Sequence, residues 1–296
     1  LGCLEGEHLL HCCFVCGLDA LHLCACCADV FGRSVVSVVD MADFSVTHHD
    51  GTVEFRLNRP ESRNSLTFEM YQALETVCLN AGTQKDRVVV ITAEGEKAFA
   101  SGTDISNFKD FETPDDAINY EAMIGRVIDS IRGCQAPVIA SLHGIVAGGG
   151  AAIAAAADVR IATPDTRFGM PIARTLGNCL SVANLNRLVH LLGESRVRYL
   201  MLTAEFLAID PLVQSGFVSE VHAGAEACDT RARALAQHLQ TLAPLTLSAT
   251  RDGLDRLAAT QLPNDRDLIE RCYLSQDFAE GINAFFAKRH ANWSGR

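Results

Sequence analysis

The sequence is short of positive charge: Lys and Arg number 25 against 36 Asp and Glu, for a formal net charge of −11 and a pI near 5.3. Nucleic acid and anionic membrane surfaces both reward a basic face, so neither is expected as a partner, and an anionic ligand has to be attracted locally. Also missing is any run of about eighteen uninterrupted apolar residues. Even the most hydrophobic stretch, near the N-terminus, is cut by His11, Asp19, His22 and Asp29, and no membrane span is expected. Three catalytic signatures are absent: there is no Gly-x-Ser-x-Gly elbow, no Gly-x-x-x-x-Gly-Lys loop and no His-Glu-x-x-His. Serine-hydrolase, phosphate-loop and zinc-protease readings therefore fall away. The triplet Gly148–Gly150 fails the dinucleotide pattern, because Ile153 stands where its last glycine belongs.

What is there begins with 296 residues at 48% hydrophobic content, enough for one sizeable core or a core plus a helical appendage. Seven of the twelve cysteines lie before residue 28, and the other five (Cys78, Cys134, Cys179, Cys228, Cys272) are scattered singly through apolar patterns. That usage fits buried thiols in a reducing cytoplasm better than a disulfide framework, and a cytoplasmic location is the expectation. Residues 1–40 start without methionine, whereas Met41 opens a strand pattern, so they are expected to form a Cys-rich extension, non-native or disordered. Glu5 and Glu7 oppose a secretory leader and the single Arg33 opposes a transit peptide. Cys13-x-x-Cys16 and Cys24-x-x-Cys27, with His11 and His22 in reserve, resemble zinc-binding thiolate pairs, but they are spaced more tightly than two zinc knuckles need. No metal site is expected. A zinc-binding regulatory protein would require this segment to be native.

From Met41 the pattern alternates strands and helices. Phe44–Thr47 and Thr52–Leu57 read as a hairpin around His48-His49-Asp50-Gly51. Phe68, Tyr71, Leu74, Val77, Cys78 and Ala81 form a helical stripe capped near Ser65 or Thr67. Val88–Thr92 and Val138–Leu142 are continuous β-branched or apolar runs of the kind buried on both faces, with a helix from about Asp115 to Ile131 between them. Alternation continues to Val218–Val221, and from Ala225 only helices follow. The division expected is a β/α core over 41–215 and a helical region over 216–296.

Two segments carry chemistry. In Lys97-Ala98-Phe99-Ala100-Ser101-Gly102-Thr103-Asp104-Ile105, small residues and a glycine follow a strand, leaving backbone N–H groups open to a developing negative oxygen. In Ala136 to Gly150 a strand delivers three glycines to the start of an alanine-rich helix, whose first turn offers unpaired N–H groups and a positive dipole end. Close helix–sheet contact is the structural alternative.

Taken with Arg56-Leu57-Asn58-Arg59-Pro60, Arg63-Asn64-Ser65-Leu66, Phe168-Gly169-Met170-Pro171 and the tail from Ser275 to Phe285, these segments resemble the enoyl-CoA hydratase/isomerase, or crotonase, superfamily from about Ser45 to Arg296. The resemblance implies an α/β fold, the crotonase-like ββα spiral, with a C-terminal helical region that takes part in trimerisation. It makes the N–H groups of Thr103 and Gly149 the oxyanion hole for an acyl-CoA thioester. Arg63, Ser101, Thr103, Asp104, Ile105, Gly148 and Gly149 become substrate-binding residues, with Lys288 or Arg289 as a further phosphate contact. No separate cofactor is implied, since CoA is part of the substrate, and the assembly implied is a homotrimer or a dimer of trimers.

The pattern breaks where the resemblance places two glutamates, for this chain has Ala152 and Ile172 there. Neither moves protons. Arg174, Asn178, Cys179, Ser181, Asp110, Glu112 and Tyr120 are the polar groups expected near the pocket, and none forms a nucleophile–base pair by sequence. Asn178 or Ser181 reads as a helix cap, Cys179 as an inert thiol, and His143, Asp104 and Asp158 as structural groups. Phe108, Phe111 and Tyr120 are expected to line the acyl pocket. Two functions remain in view: an enzyme that stabilises a thioester enolate with an unidentified acid/base, and a non-catalytic acyl-CoA-binding homologue.

Overall fold

The computed structural model describes residues 37–82, 86–109, 111, 113–258 and 266–294. The paired cysteines Cys13, Cys16, Cys24 and Cys27, with His11 and His22, lie outside the described residues, as do Asp110 and Glu112. The hairpin forms where Asp-Gly supplies two left-handed positions, Asp50 at φ 46° and Gly51 at φ 74°, the geometry that matches strand twist. Strands β2 (Phe44–His49) and β3 (Thr52–Leu57) therefore run through both histidines, in register from Phe44 opposite Leu57 to His49 opposite Thr52. A further edge strand, β1 (Ser37–Asp40), pairs antiparallel with β2 from inside the segment set apart above.

Helix α1 (Phe68–Asn80) starts at Thr67, whose hydroxyl accepts from the Met70 N–H, and it buries Met70, Tyr71, Leu74 and Cys78. Strands β4 (Val88–Ala93), β6 (Val138–Leu142), β8 (Val159–Ala162) and β10 (Glu220–Val221) extend the sheet in parallel, giving the order β1-β2-β3-β4-β6-β8-β10. Strands β5 (Ala98–Ala100), β7 (Ile145–Ala147) and β9 (Arg167–Gly169) form a second, all-parallel sheet. Three successive turns of chain thus give one strand to each sheet, with α2 (Pro114–Arg132) and α3 (Gly148–Ala156) as connecting helices. This is the ββα spiral. The large sheet continues past residue 215 through β10.

Because β4 is buried along its whole length, its alternating side chains serve two cores. Val89 and Ile91 join the main one, while Val88 and Val90 meet Cys228, Ala232 and Ala236 of α8 (Ala225–Gln240) across the sheet. Between β9 and α8 lie α4 (Ile172–Thr175), α5 (Val182–Leu192), α6 (Glu194–Thr203) and α7 (Ile209–Gln214); after α8 come α9 (Pro244–Ala258), α10 (Arg266–Tyr273) and α11 (Gln276–Phe286). Helix α3, which carries the three glycines, is anchored at its far end by buried Arg160 on β8. That guanidinium donates to the carbonyls of Ala154 and Ala157 and, through Nε, to Phe217, meeting carbonyls that a helix C-terminus leaves open. Burial pulls its pKa down to about 10, so it stays charged at neutral pH.

Candidate functional site

Two turns meet at their glycines. Gly102 (φ 124°) and Gly148 (φ 52°) both adopt backbone conformations that side chains resist, and a Cβ on Gly148 would stand 3.2 Å from the Gly102 Cα. On the first turn, the Leu66 N–H donates to the Gly102 carbonyl (2.8 Å) and the Asp104 N–H donates to the Leu66 carbonyl (2.9 Å). This parallel bridge clasps Thr103 from both sides, and the Thr103 N–H therefore points away from Leu66. On the second turn, Gly149 sits in the first turn of α3, where an N–H has no carbonyl four residues back within the helix to bond. Each of the next two glycines answers a close approach. A Cβ on Gly149 would come 1.8 Å from the Tyr71 hydroxyl oxygen, and one on Gly150 would come 2.4 Å from the Ala100 Cβ.

Beside this junction runs a chain of hydroxyls. Thr103 Oγ1 is 2.8 Å from the Tyr71 hydroxyl and 2.8 Å from the Tyr120 hydroxyl, and the two tyrosines are only 1% and 9% exposed. Burial pushes both phenols upward in pKa, and nearby Glu121 adds to the rise, so both stay protonated and neutral. Around Tyr120 gather Phe108 (ring centroids 4.9 Å apart), Phe68 (6.0 Å), Phe111 (6.1 Å) and Tyr273 (6.3 Å). One side of the junction is thus aromatic and the other open to the exposed turn that carries Arg63.

That exposed side is braced from below. Buried Asn64, itself left-handed at φ 52°, accepts from the Arg59 N–H (2.8 Å) and donates to the carbonyls of Glu94 (2.9 Å) and Ala98 (2.8 Å). Its neighbour Arg63 presents its side chain to solvent, while the Arg63 carbonyl accepts from the Ser101 N–H at 3.0 Å. Asp104 caps the turn Ile105–Phe108 through Ser106 and pairs with Arg59 at 2.9 Å. Burial alone would raise its carboxyl, yet the hydrogen bonds from Ser106 and Arg59 prevail and hold it below the usual range. The structure therefore brings Arg63, Ser101, Thr103, Asp104 and Ile105 onto one turn system against Gly148 and Gly149. Lys288 is exposed, and Arg289 is bound to Glu280 at 2.8 Å.

The remaining sequence candidates separate by role. Ala152 is buried on α3, one turn beyond Gly148, and Ile172 is half-buried at the start of α4. Asp158 accepts from the Val138 N–H (2.7 Å) and pairs with Arg251 (2.9 Å), a structural use. Buried His143 has neither ring nitrogen hydrogen-bonded among the described residues, and burial holds its pKa below the ordinary value. Ser181 caps α5 by accepting from the Asn184 N–H, Arg174 is exposed, and Asn178 donates to the Tyr273 hydroxyl at 3.1 Å. Sequence reasoning missed Glu121. Its Oε1 accepts from that same Tyr273 hydroxyl at 2.5 Å, across 152 positions of chain, a distance that no local pattern spans.

Comparison with known proteins adds the following. The profile of the family described as enoyl-CoA hydratase/isomerase matches residues 47–296. A probable enoyl-CoA hydratase, echA6, of Mycobacterium leprae is 30% identical over 257 residues, covering 84% of this chain and 98% of that protein. The short-chain-enoyl-CoA hydratase of Clostridium acetobutylicum is 27% identical, covering 79% and 90%. The 1,2-epoxyphenylacetyl-CoA isomerase of Escherichia coli is 28% identical, covering 86% and 100%. Among solved structures, an enoyl-CoA hydratase/carnithine racemase from Magnetospirillum magneticum superposes with a TM-score of 0.69 at 26% identity, over 87% of this chain and 97% of that one. A methylmalonyl-CoA decarboxylase shares the fold at a TM-score of 0.73 and 23% identity, over 88% and 98%.

Proposed function

The chain belongs to the enoyl-CoA hydratase/isomerase family, and on that footing we propose that it is an acyl-CoA enzyme whose oxyanion hole is built from the Thr103 and Gly149 N–H groups. The observation that supports this reading is the close approach of Gly102 and Gly148, where a Cβ on Gly148 would stand 3.2 Å from the Gly102 Cα, so that the residues preceding Thr103 and Gly149 bring no side chain between the two turns. Donors fixed before reaction stabilise the oxygen of an enolate as its charge develops, and one such donor is worth roughly 10²–10³ in rate. The similar proteins bear names that range over enoyl-CoA hydration and epoxyphenylacetyl-CoA isomerisation. Their shared element is the CoA thioester, which supports placing the thioester, rather than one acyl group, at this junction.

Hydration by two carboxylates is not expected, since Ala152 and Ile172 hold the positions where the family resemblance puts the glutamates and a lost acid or base costs on the order of 10²–10⁴ in rate. No cofactor beyond the CoA of the substrate is part of the proposal. A homotrimer or dimer of trimers is, because Leu202 (79% exposed), Leu245 (83%) and Leu257 (82%) present apolar area that further copies would cover. The cytoplasm remains the proposed location, on the scattered single cysteines.

The second reading is a non-catalytic acyl-CoA-binding protein, favoured by the same two apolar positions. Titration of the full-length protein with crotonyl-CoA and acetyl-CoA, with binding followed by calorimetry and hydration by loss of enoyl absorbance, tests both. Binding with negligible hydration is expected. Failure to bind either thioester refutes the site, and rapid hydration refutes the assignment of Ala152 and Ile172.

A further inference from the structure

Three hydroxyls share two hydrogen bonds beside the glycine turns. Tyr71 from α1 and Tyr120 from α2 each meet Thr103 Oγ1 at 2.8 Å, and neither phenol has another hydrogen-bond partner among the described residues. Burial pushes both phenols upward in pKa, so each keeps its proton at neutral pH. The trio therefore carries three hydroxyl protons, and its two bonds use only two of them. One proton is left to be donated outside the trio.

Burial decides which one. Tyr71 is 1% exposed and Tyr120 is 9% exposed, with the rings of Phe68, Phe108 and Phe111 against Tyr120. A donor without an acceptor is costliest where water cannot reach it. Thr103, by contrast, is half-buried. A hydroxyl has two lone pairs and one proton. Both buried phenols are satisfied only when both donate to Thr103 Oγ1, which fills its lone pairs and turns its own proton away from the two rings. Among the described residues that proton has no acceptor.

The second glycine turn lies next to it. A Cβ on Gly149 would stand 3.2 Å from Thr103 Oγ1 and 1.8 Å from the Tyr71 hydroxyl oxygen, so glycine is what admits these hydroxyls against the first turn of α3. Oγ1 is also only three covalent bonds from the Thr103 amide nitrogen, close enough for the O–H and the N–H of one residue to converge on one acceptor.

Resting on the thioester site proposed above, we propose that the Thr103 hydroxyl is its third donor, adding an O–H to the Thr103 and Gly149 N–H groups on the thioester oxygen. With both lone pairs of Oγ1 occupied, the threonine proton has no internal competitor and is held outward before the ligand arrives. A donor fixed in advance is the kind that stabilises a developing negative oxygen. Hydrogen bonds in a chain polarise one another, so donation by the two phenols strengthens the Thr103 O–H as a donor. Three donors and no acceptor then meet at one point, which fits a carbonyl or enolate oxygen and rejects a group that must itself donate. The hydroxyl keeps its proton throughout.

The test compares two variants of the full-length protein in which no phenol is orphaned: Tyr71→Phe with Tyr120→Phe, which keeps the Thr103 hydroxyl, and the same pair with Thr103→Val, which removes it. Each is saturated with acetyl-CoA carrying 13C at the thioester carbonyl, and isotope-edited infrared difference spectra read the carbonyl stretch, which falls as donors polarise the bond. Calorimetry measures affinity in parallel. Wild type is expected to lower the stretch relative to free acetyl-CoA. The triple variant should lose about a third of the lowering that the double variant retains, one donor in three, and bind about two- to tenfold more weakly than the double variant. Equal stretches in the two variants overturn the third donor and leave the backbone pair in place. If either variant fails to fold, Thr103→Ser, which retains a hydroxyl, is compared with Thr103→Val on the same readout. Binding by wild type without any lowering, or no binding, instead overturns the thioester site itself.

Discussion

Thr103 Oγ1 joins two phenols that have almost no access to water, so removing that one oxygen gives a clean test of how the site is held. Thr103→Val keeps the shape and leaves the hydroxyls of Tyr71 and Tyr120, 1% and 9% exposed, without the partner seen here. A buried polar group that loses its partner costs about 1–3 kcal/mol. Two such groups give about 2–6 kcal/mol, and the half-buried position of Thr103, which lets water approach, favours the lower part, about 2–4 kcal/mol. Urea unfolding with linear extrapolation measures the loss as a shift of midpoint at constant slope. The companion variant carries Tyr71→Phe and Tyr120→Phe as well as Thr103→Val, so that no phenol is orphaned; it should regain most of the loss, because apolar replacement of all partners is near neutral. A change of less than about 0.5 kcal/mol in Thr103→Val, the size of an ordinary surface substitution, would refute the hydroxyl chain as a stabilising element.

Other outcomes follow from the same geometry. Gly149→Ala places a methyl group 1.8 Å from the Tyr71 hydroxyl oxygen; the ring must move, and acyl-CoA affinity measured by calorimetry should drop at least about tenfold, equivalent to about 1.4 kcal/mol. Buried His143 has its pKa depressed mainly by desolvation, so the unfolded chain takes up this proton first as pH falls through about 6.5. Its linkage to folding is absent well above that pH and destabilising below it. Melting temperatures at pH 7.5 and 5.5 should show a smaller acid-induced drop for His143→Leu than for wild type, and equal drops would remove His143 as a contributor.

Local patterns were legible because local physics decides them. The Asp50-Gly51 turn, the Thr67 cap and the doubly buried β4 and β6 follow from left-handed tolerance, side-chain capping and unbroken apolar runs. The hairpin strands reached further than their β-branched cores, carrying His48 and His49, because pairing with Val53 and Thr52 outweighs weak intrinsic preference. Asn64 read as one landmark in a motif. Only in the fold does it prove to be the buried three-way tie between Arg59, Glu94 and Ala98 that sets the exposed turn beside Ser101.

The sequence by itself determined the ββα order, the two glycine turns and the family, since each is written in contiguous residues whose backbone demands are local. It also placed Ala152 and Ile172 where proton-moving side chains were expected. Tertiary structure alone decided that Gly102 meets Gly148, that Thr103 links Tyr71 to Tyr120, and that Glu121 accepts from Tyr273. Those contacts join residues between 17 and 152 positions apart. Their free energy comes from burying hydroxyls and rings together once sheets and helices have been brought into place, and no periodicity in the chain encodes which distant partner a buried phenol will find.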